Sequence, residues 1–373
     1  MKRRQLLQYL PLTTLPLSAL ALLAPASHAE TEFERYQRQQ QEGLNRLQSE
    51  WQQYRRRYLS AYRDYKQRLN KVWSKPQLSS QTRWVDYNDD LSARRVIDFA
   101  NNEVRLSFAN TDQMAISEAR IRAEFEKTLQ ASIQQAYRND PVLTRVTGAQ
   151  TPDADQSVSQ IPSADIPQLL AKASTQQQQT GKGTVVTVTI PLAADALPKR
   201  ARGYLPQVKR AAHKWQVPVP LVLAIMQTES AFNPMARSHI PAFGLMQIVP
   251  GSAGRDASKH AFGRERLLSG QELFQPATNI ELGCAYLNLL DTRYLKAIKH
   301  PQSRLFCTIA AYNTGAGNVA RAFTGNTSVT TAAKRINRLT PTQVYAHLRQ
   351  HLKYEEARNY LYKVTQAMPA YQA

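Results

Sequence analysis

The stretch VPVPLVLAIMQTESAFNPMARSHIPAFGLMQ, residues 217–247, decides how the chain is read. Pro218 and Pro220 stand where first-turn prolines belong, and Leu221–Ser230 continues them as an apolar helix. Helical spacing puts Glu229 on one face with Val222, Ile225 and Met226. A carboxyl at the end of an apolar face is costly to ionise, so burial is expected to raise its pKa. The free carbonyls of a helix C-terminus push the same way. A carboxylic acid still protonated near neutral pH is suited to general-acid work. A Glu229 turned to solvent beyond the last turn would have none of these properties, so this residue alone does not decide. Downstream, Asn233-Pro234 reads as a turn and Gly244 as a residue serving the backbone.

Around this stretch the chain divides in two. From residue 198 to 373 the apolar pattern is almost wholly helical and carries no internal repeat. Residues 30–197 read as α+β. Residues 31–75 form one long predicted helix, with Leu44, Leu47, Trp51, Tyr54, Tyr58, Tyr62, Tyr65 and Leu69 recurring at gaps of three or four. Its other faces carry Arg55, Arg56, Arg57, Arg63, Lys66, Arg68 and Lys71, the usual solvated side of a core-facing stripe. Arg94–Phe99 and Glu103–Phe108 flank Asn101-Asn102 as a hairpin. A single helix is expected from Asp112 to Tyr137, with Ile121, Phe125, Leu129 and Ile133 on one face. Residues 148–183, which include Gln176–Gln179, read as a long Gln/Ser/Thr-rich loop, and Thr184–Ile190 as a β-branched strand.

Lys2, Arg3 and Arg4 precede an apolar stretch from Leu6 to Ala24, and Ser27-His28-Ala29 gives a small-x-small cleavage pattern before Glu30. Residues 1–29 are therefore expected to be an export signal, interrupted by Pro11 and Pro16 and so ill suited to span a bilayer. Arg3-Arg4 also permits a twin-arginine route. Lys and Arg number 48 against 28 Asp and Glu, a formal charge of +20 that favours an anionic partner. Export, and the lack of a nucleic-acid-binding motif, argue against nucleic acid; carboxylate-bearing polymers and an anionic membrane surface remain. The two cysteines, Cys284 and Cys307, fall in apolar helical stretches, where a free Cys is usually a small buried hydrophobe, although export would permit a bridge. They do not suggest a metal site.

Three short motifs then occur in sequence: Glu229-Ser230, Gly244-Leu245-Met246-Gln247 and Ala311-Tyr312-Asn313, with Arg358-Asn359-Tyr360 near the end. In their order and spacing, residues 200–365 resemble the lytic transglycosylases with a soluble-transglycosylase (goose-lysozyme-like) catalytic domain. The long N-terminal region and Ala253-Gly254-Arg255-Asp256 look most like the membrane-bound murein transglycosylase C branch, whose members are typically lipoproteins. With no Cys near residue 29 to accept a lipid, a periplasmic or envelope location after signal cleavage is expected instead. The resemblance implies an α+β N-terminal domain followed by a mainly α-helical lysozyme-like catalytic domain. It also implies a peptidoglycan substrate and no metal or organic cofactor.

Glu229 resembles the family's single acid/base; Ser238, Met246, Gln247, Tyr312, Asn313 and Tyr360 match positions around the sugars. The reaction so implied cleaves the MurNAc–GlcNAc bond and leaves a 1,6-anhydromuramoyl end. Two-carboxylate glycosidases need a second acid. None lies between Ser230 and Arg255; Asp256 is the next acid along the chain, and Asp291, Glu355 or Glu356 could serve as a distant partner. A hydrolytic lysozyme on the same fold and a non-catalytic peptidoglycan-binding protein are the competing readings.

Overall fold

A computed structural model of the protein describes residues 32–110, 116–147 and 150–372, with side chains from residue 41 onward. The export signal expected over residues 1–29 lies outside the described residues. Arg46–Ala373 form one compact unit, and residues 32–45 belong to the opening turns of the first helix. The division expected at 197/198 falls inside that unit, at the start of a helix.

Helix α1, Glu32–Val72, follows the aromatic stripe, with Tyr58 and Leu69 at 1% and 0% exposure. Tyr54, Tyr58 and Tyr65 are buried with them, while Trp51 and Tyr62 are half-buried. The stripe thus faces the core and most of the basic residues face water, with Arg55 half-buried at the margin. Strands β1 (Arg83–Tyr87), β2 (Ala93–Asp98) and β3 (Glu103–Ala109) form an antiparallel meander. At the turn between β2 and β3, Asn102 takes a left-handed conformation (φ 57°) and Asp98 accepts hydrogen bonds from the backbone and side chain of Asn101. Asn tolerates that conformation at low cost, which is why the Asn pair marks a hairpin.

The single helix expected over 112–137 is two. Helix α2 spans Glu118–Gln130 and α3 spans Ile133–Arg138, while residues 111–115 lie outside the described residues. Ser132 breaks the run by capping α3: its hydroxyl accepts from the Gln135 backbone, and the Gln135 side chain accepts from the Ser132 backbone. Phe125, Leu129 and Ile133 are buried across the break, so the apolar period survives where the helix does not.

The loop expected over 148–183 is also corrected. After the short helices α4 (Leu143–Thr147) and α5 (Ile166–Leu170), Ser174–Thr180 forms strand β4, which pairs with β5 (Gly183–Pro191). The five-stranded sheet has the order β1-β2-β3-β5-β4 and is antiparallel throughout. Strand β4 is exposed along most of its length, so glutamines satisfy it: main-chain hydrogen bonds to β5 hold it without an apolar face.

The remainder is helical. Helices α6 (Ala196–Trp215) and α7 (Val219–Ser230) are followed by α8 (Ala253–Phe262), the short α9 (Gly270–Leu273) and α10 (Pro276–Leu289). Then come α11 (Pro301–Thr314), α12 (Ala316–Thr324), α13 (Val329–Ile336), α14 (Pro341–His351) and α15 (Glu355–Ala367). Helix α7 is apolar nearly all round, as a helix enclosed by others must be. The sheet region and the helical region share one core: Tyr54 and Tyr58 of α1 meet Phe243 edge-on, with ring centroids 6.3 and 5.9 Å apart. Cys284 and Cys307 are both free and buried.

Candidate active site

Helix α7 ends abruptly because Ala231 and Phe232 both adopt left-handed backbone conformations (φ 50° and 64°). Neither is glycine, so each strains the backbone and is held there by surrounding contacts. Asn233, wholly buried, fixes the exit: its Oδ1 accepts from Met235 N at 3.0 Å and its Nδ2 donates to the Gln81 carbonyl at 3.1 Å. The Ser230 hydroxyl lies 2.9 Å from the Met226 carbonyl and 2.8 Å from the Leu245 carbonyl, its one proton serving both. The end of α7 is thereby tied to the next loop, and Glu229 is held in its last turn.

Glu229 is 9% exposed. Burial pushes its carboxyl up to about 8; the Tyr360 hydroxyl beside it works against that shift, and the charge of Glu356 adds to it. The acid is therefore largely protonated at neutral pH. Tyr360, itself buried in α15, forms no fully aligned hydrogen bond with any protein group. Burial foremost, and then the neighbouring Glu229 charge, raise the phenols of Tyr312 and Tyr360 far above their ordinary range, so both stay neutral donors.

The loop after α7 folds back as a tight turn. Phe243 and Ile248 exchange backbone hydrogen bonds of 3.1 Å, and Gln247 N donates to the Gly244 carbonyl at 3.1 Å. Gly244 has φ +74°, and a Cβ there would fall 2.3 Å from the Leu273 carbonyl oxygen, so the turn requires glycine. Asn279 of α10 locks it. Its Oδ1 accepts from Met246 N at 2.8 Å, while its Nδ2 donates to the carbonyls of Phe243 (2.8 Å) and Leu273 (2.9 Å). The Tyr312 hydroxyl donates to the Met246 carbonyl at 2.9 Å, joining α11 to the same turn.

The structure places the sequence-derived residues unequally. Glu229, Tyr312 and Tyr360 converge, and Gln247 stands on the turn that Tyr312 grips. Gln247 is 8% exposed; its Nε2 donates to the Gly244 carbonyl at 3.0 Å, which leaves its Oε1 an acceptor without a partner. Asn313 is half-buried next to Tyr312 in the last turn of α11. Met246 is corrected: its side chain is wholly buried in the hollow left by Gly283, where a Cβ would lie 2.2 Å from its sulfur. It supports the turn from beneath and presents no surface to a sugar. Ser238 is half-buried, and its hydroxyl is engaged inside its own loop, donating to the Ile240 carbonyl and accepting from Ala242 N.

Of the four acids named from the sequence, Asp256 accepts from the Tyr294 hydroxyl and Asp291 pairs with Arg304. Only Glu356, one turn before Tyr360 on α15, bears electrostatically on Glu229. Two residues escaped the sequence reading. One is Asn279, a lone amide in the apolar run PATNIELGCAYLNL, whose burial was the available signal. The other is Arg237, paired with Asp140 at 2.8 Å with both side chains buried, for which the sequence offers no cue because 97 positions separate the partners.

Residues 206–334 match the Transglycosylase SLT domain family. The chain is 44% identical over 202 residues to a membrane-bound lytic murein transglycosylase C of Salmonella arizonae, a match covering 54% of this chain and 55% of that protein. A protein of the same name from Histophilus somni is 45% identical over 196 residues, covering 52% of each. The chain thus spans about half the length of the curated relatives it matches. Among solved structures, the 70-kDa soluble lytic transglycosylase of Escherichia coli aligns at 25% identity with a TM-score of 0.36, covering 48% of this chain and 25% of that one. The lytic transglycosylase Slt of Pseudomonas aeruginosa aligns at 28% identity with a TM-score of 0.32, covering 44% and 23%. Tyr360 lies beyond the matched family segment, whereas Glu229, the Gly244–Gln247 turn and Tyr312-Asn313 lie within it.

Proposed function

We propose that the protein is a peptidoglycan lytic transglycosylase whose single acid/base is Glu229. One observation carries the reading: a buried carboxyl with a pKa raised to about 8 stands close to two neutral tyrosines, within or next to the segment that matches the SLT domain family. At neutral pH Glu229 donates its proton to the oxygen linking MurNAc to GlcNAc, and that C–O bond breaks. The resulting carboxylate takes the proton of the MurNAc C6 hydroxyl as that oxygen bonds to C1. The product is a 1,6-anhydro ring, no water is consumed, and Glu229 ends protonated.

A raised pKa suits both steps, because the group must be acid first and base afterwards. Tyr360 and Tyr312 supply the polar surroundings in which the transient carboxylate forms. The free Oε1 of Gln247 accepts from an N–H or O–H of the sugar, and Asn313, beside Tyr312, orients the N-acetyl group. Such positioning contributes several kcal/mol, on the order of what effective-molarity arguments allow. The lysozyme-like arrangement of residues 198–373, and action in the cell envelope, belong to the same proposal. Among the described residues no helix is long and apolar enough to cross a membrane. The excess of positive charge suits a strand bearing carboxylates.

Digestion of purified peptidoglycan by the wild type and by Glu229→Gln, followed by mass spectrometry of the soluble products, tests this. Anhydromuropeptides from the wild type alone are expected. Reducing ends would overturn it in favour of a hydrolase, with Glu356 as the group to examine for water activation, and release by neither protein would favour a binding role.

A further inference from the structure

Arg200, in the first half of α6, is 2% exposed yet has no acidic partner. Its Nη2 donates to the Phe99 carbonyl at 3.1 Å, and its guanidinium carbon sits 5.1 Å from the Phe99 ring centroid. Nε and Nη1 have no hydrogen-bond partner within the protein. Of the nearby acids, Asp195 is paired with Lys199 at 3.2 Å and Asp98 with Arg105 at 3.0 Å, while Asp165 lines a small cavity with Arg200 but forms no ion pair with it. A buried cation held by one carbonyl and one ring lacks the counter-charge that normally offsets its desolvation.

Two cavities border this residue. The smaller, about 20 Å³, has room for about one water molecule. The larger, about 630 Å³ and open to solvent, lies between the β2–β3 turn, the start of α6, the end of α7 and the end of α15. Lys363 and Tyr362 also line it, as do Asn102, Thr228 and Ala231, and no Asp or Glu does. Both Lys363 and Tyr362 are exposed. Thr228 and Ala231 bracket Glu229-Ser230 in the chain, and Lys363 stands three residues along α15 from Tyr360. The lining of the cavity is therefore next to the candidate acid/base along α7, and within about one helical turn, ~5 Å along α15, of Tyr360.

We propose that this cavity is a carboxylate-binding subsite that takes an acidic group on the peptide branch of the glycan strand, with Arg200 and Lys363 providing the positive charge. It rests on the reading of the chain as a peptidoglycan-cleaving enzyme, since that polymer carries carboxylate-bearing peptides beside the bond to be cut. The cavity is large enough for a few residues of such a branch, and its charge is of one sign. Arg200 forms the buried wall and Lys363 the solvent-facing rim, so the first favours a partly dehydrated carboxylate and the second draws it in.

The probe is N-acetyl-L-Ala-D-Glu, a dicarboxylate, with its neutral diamide as control, titrated at low salt into full-length Glu229→Gln. The readout is the Nε–H resonance of Arg200 by NMR, assigned with Arg200→Gln. The dicarboxylate is expected to shift that resonance and the diamide to leave it unmoved. Lys363→Ala, at an exposed position that does not endanger folding, is expected to weaken binding roughly threefold to fivefold, the range of an exposed charge contact. In parallel, wild type and Lys363→Ala are assayed on glycan strands with and without their peptides, and the loss from Lys363→Ala is expected to be larger on the peptide-bearing strands.

No shift at Arg200, an equal shift with the diamide, or equal loss on both strands would overturn the subsite. If the dicarboxylate binds while wild type cleaves neither strand, the enzymatic reading fails and the anion site stands. If both strands are cleaved alike and nothing binds, the subsite fails alone.

Discussion

Replacing Glu229 with Gln is predicted to abolish cleavage while making the folded protein more stable. In the folded protein the carboxyl has a pKa of about 8, against the ordinary value of 4.5 in the unfolded chain. Between those two values the folded state holds a proton that the unfolded state has released. Unfolding therefore becomes easier as pH rises, by up to about 1.4 kcal/mol per pH unit. Below about pH 4 the group is neutral in both states and contributes no difference. By pH 7 the accumulated penalty is about 3 kcal/mol, and above the folded pKa it levels off. Glutamine cannot ionise, keeps the same shape, and still faces Tyr360. The stability gap between Glu229→Gln and wild type should thus be near zero at pH 4, open steadily through pH 5 and 6, and reach about 3 kcal/mol at pH 7. Urea denaturation of both proteins at half-unit pH steps measures it. A gap that stays flat from pH 5 to pH 8 would refute the reasoning, because Glu229 would then ionise as easily folded as unfolded. The activity of the wild type should decline as pH rises through about 8, where the acid loses its proton.

Asn279→Ala removes the partners of one buried N–H and two buried carbonyls, and should cost about 3–5 kcal/mol, with kcat falling as the Gly244–Gln247 turn loosens; thermal unfolding and turnover on peptidoglycan check both. Asp140→Ala strands the Arg237 guanidinium in the core and should lower stability by about 3–5 kcal/mol, while Asp140→Ala with Arg237→Met should recover much of it in the same denaturation assay. Burial raises the thiols of Cys284 and Cys307 well above their ordinary range, so the native protein should resist a thiol reagent that labels both after unfolding. Gly283→Ala should drive the Met246 side chain from its hollow and reduce both stability and turnover, seen as a lower Tm and a lower kcat.

Glu229 was legible because the signal is local: prolines, an apolar run and one carboxyl at its end. The β2–β3 hairpin was legible for the same reason, since Asn101-Asn102 names its own turn. Features that depend on distant partners were not. Strand β4 carries Gln176–Gln179 and is held by backbone bonds to β5, so its side chains leave no alternation to detect. Ile121, Phe125, Leu129 and Ile133 keep a helical period across the break between α2 and α3, although Ser132-x-x-Gln135 was a capping signature in plain view. Met246 stands in a motif that suggested a ligand, but only the three-dimensional placement of Gly283 reveals the hollow that swallows it. Ser238 shows the same limit: a hydroxyl's availability depends on which groups its own loop turns towards it.

Trp51 lies so close over Gly251 that a Cβ there would meet its ring at 2.5 Å, and Tyr54 and Tyr58 cover Phe243. A fragment starting at residue 198 would therefore bring an aromatic face into water and strand Arg237 without Asp140. Sequence change at positions 51, 54 or 58 is then change at the loop that carries Gly244–Gln247, transmitted by direct touch. Variation in the two segments is bound together: a bulkier residue at 251 demands a smaller one at 51, and neither segment can drift alone.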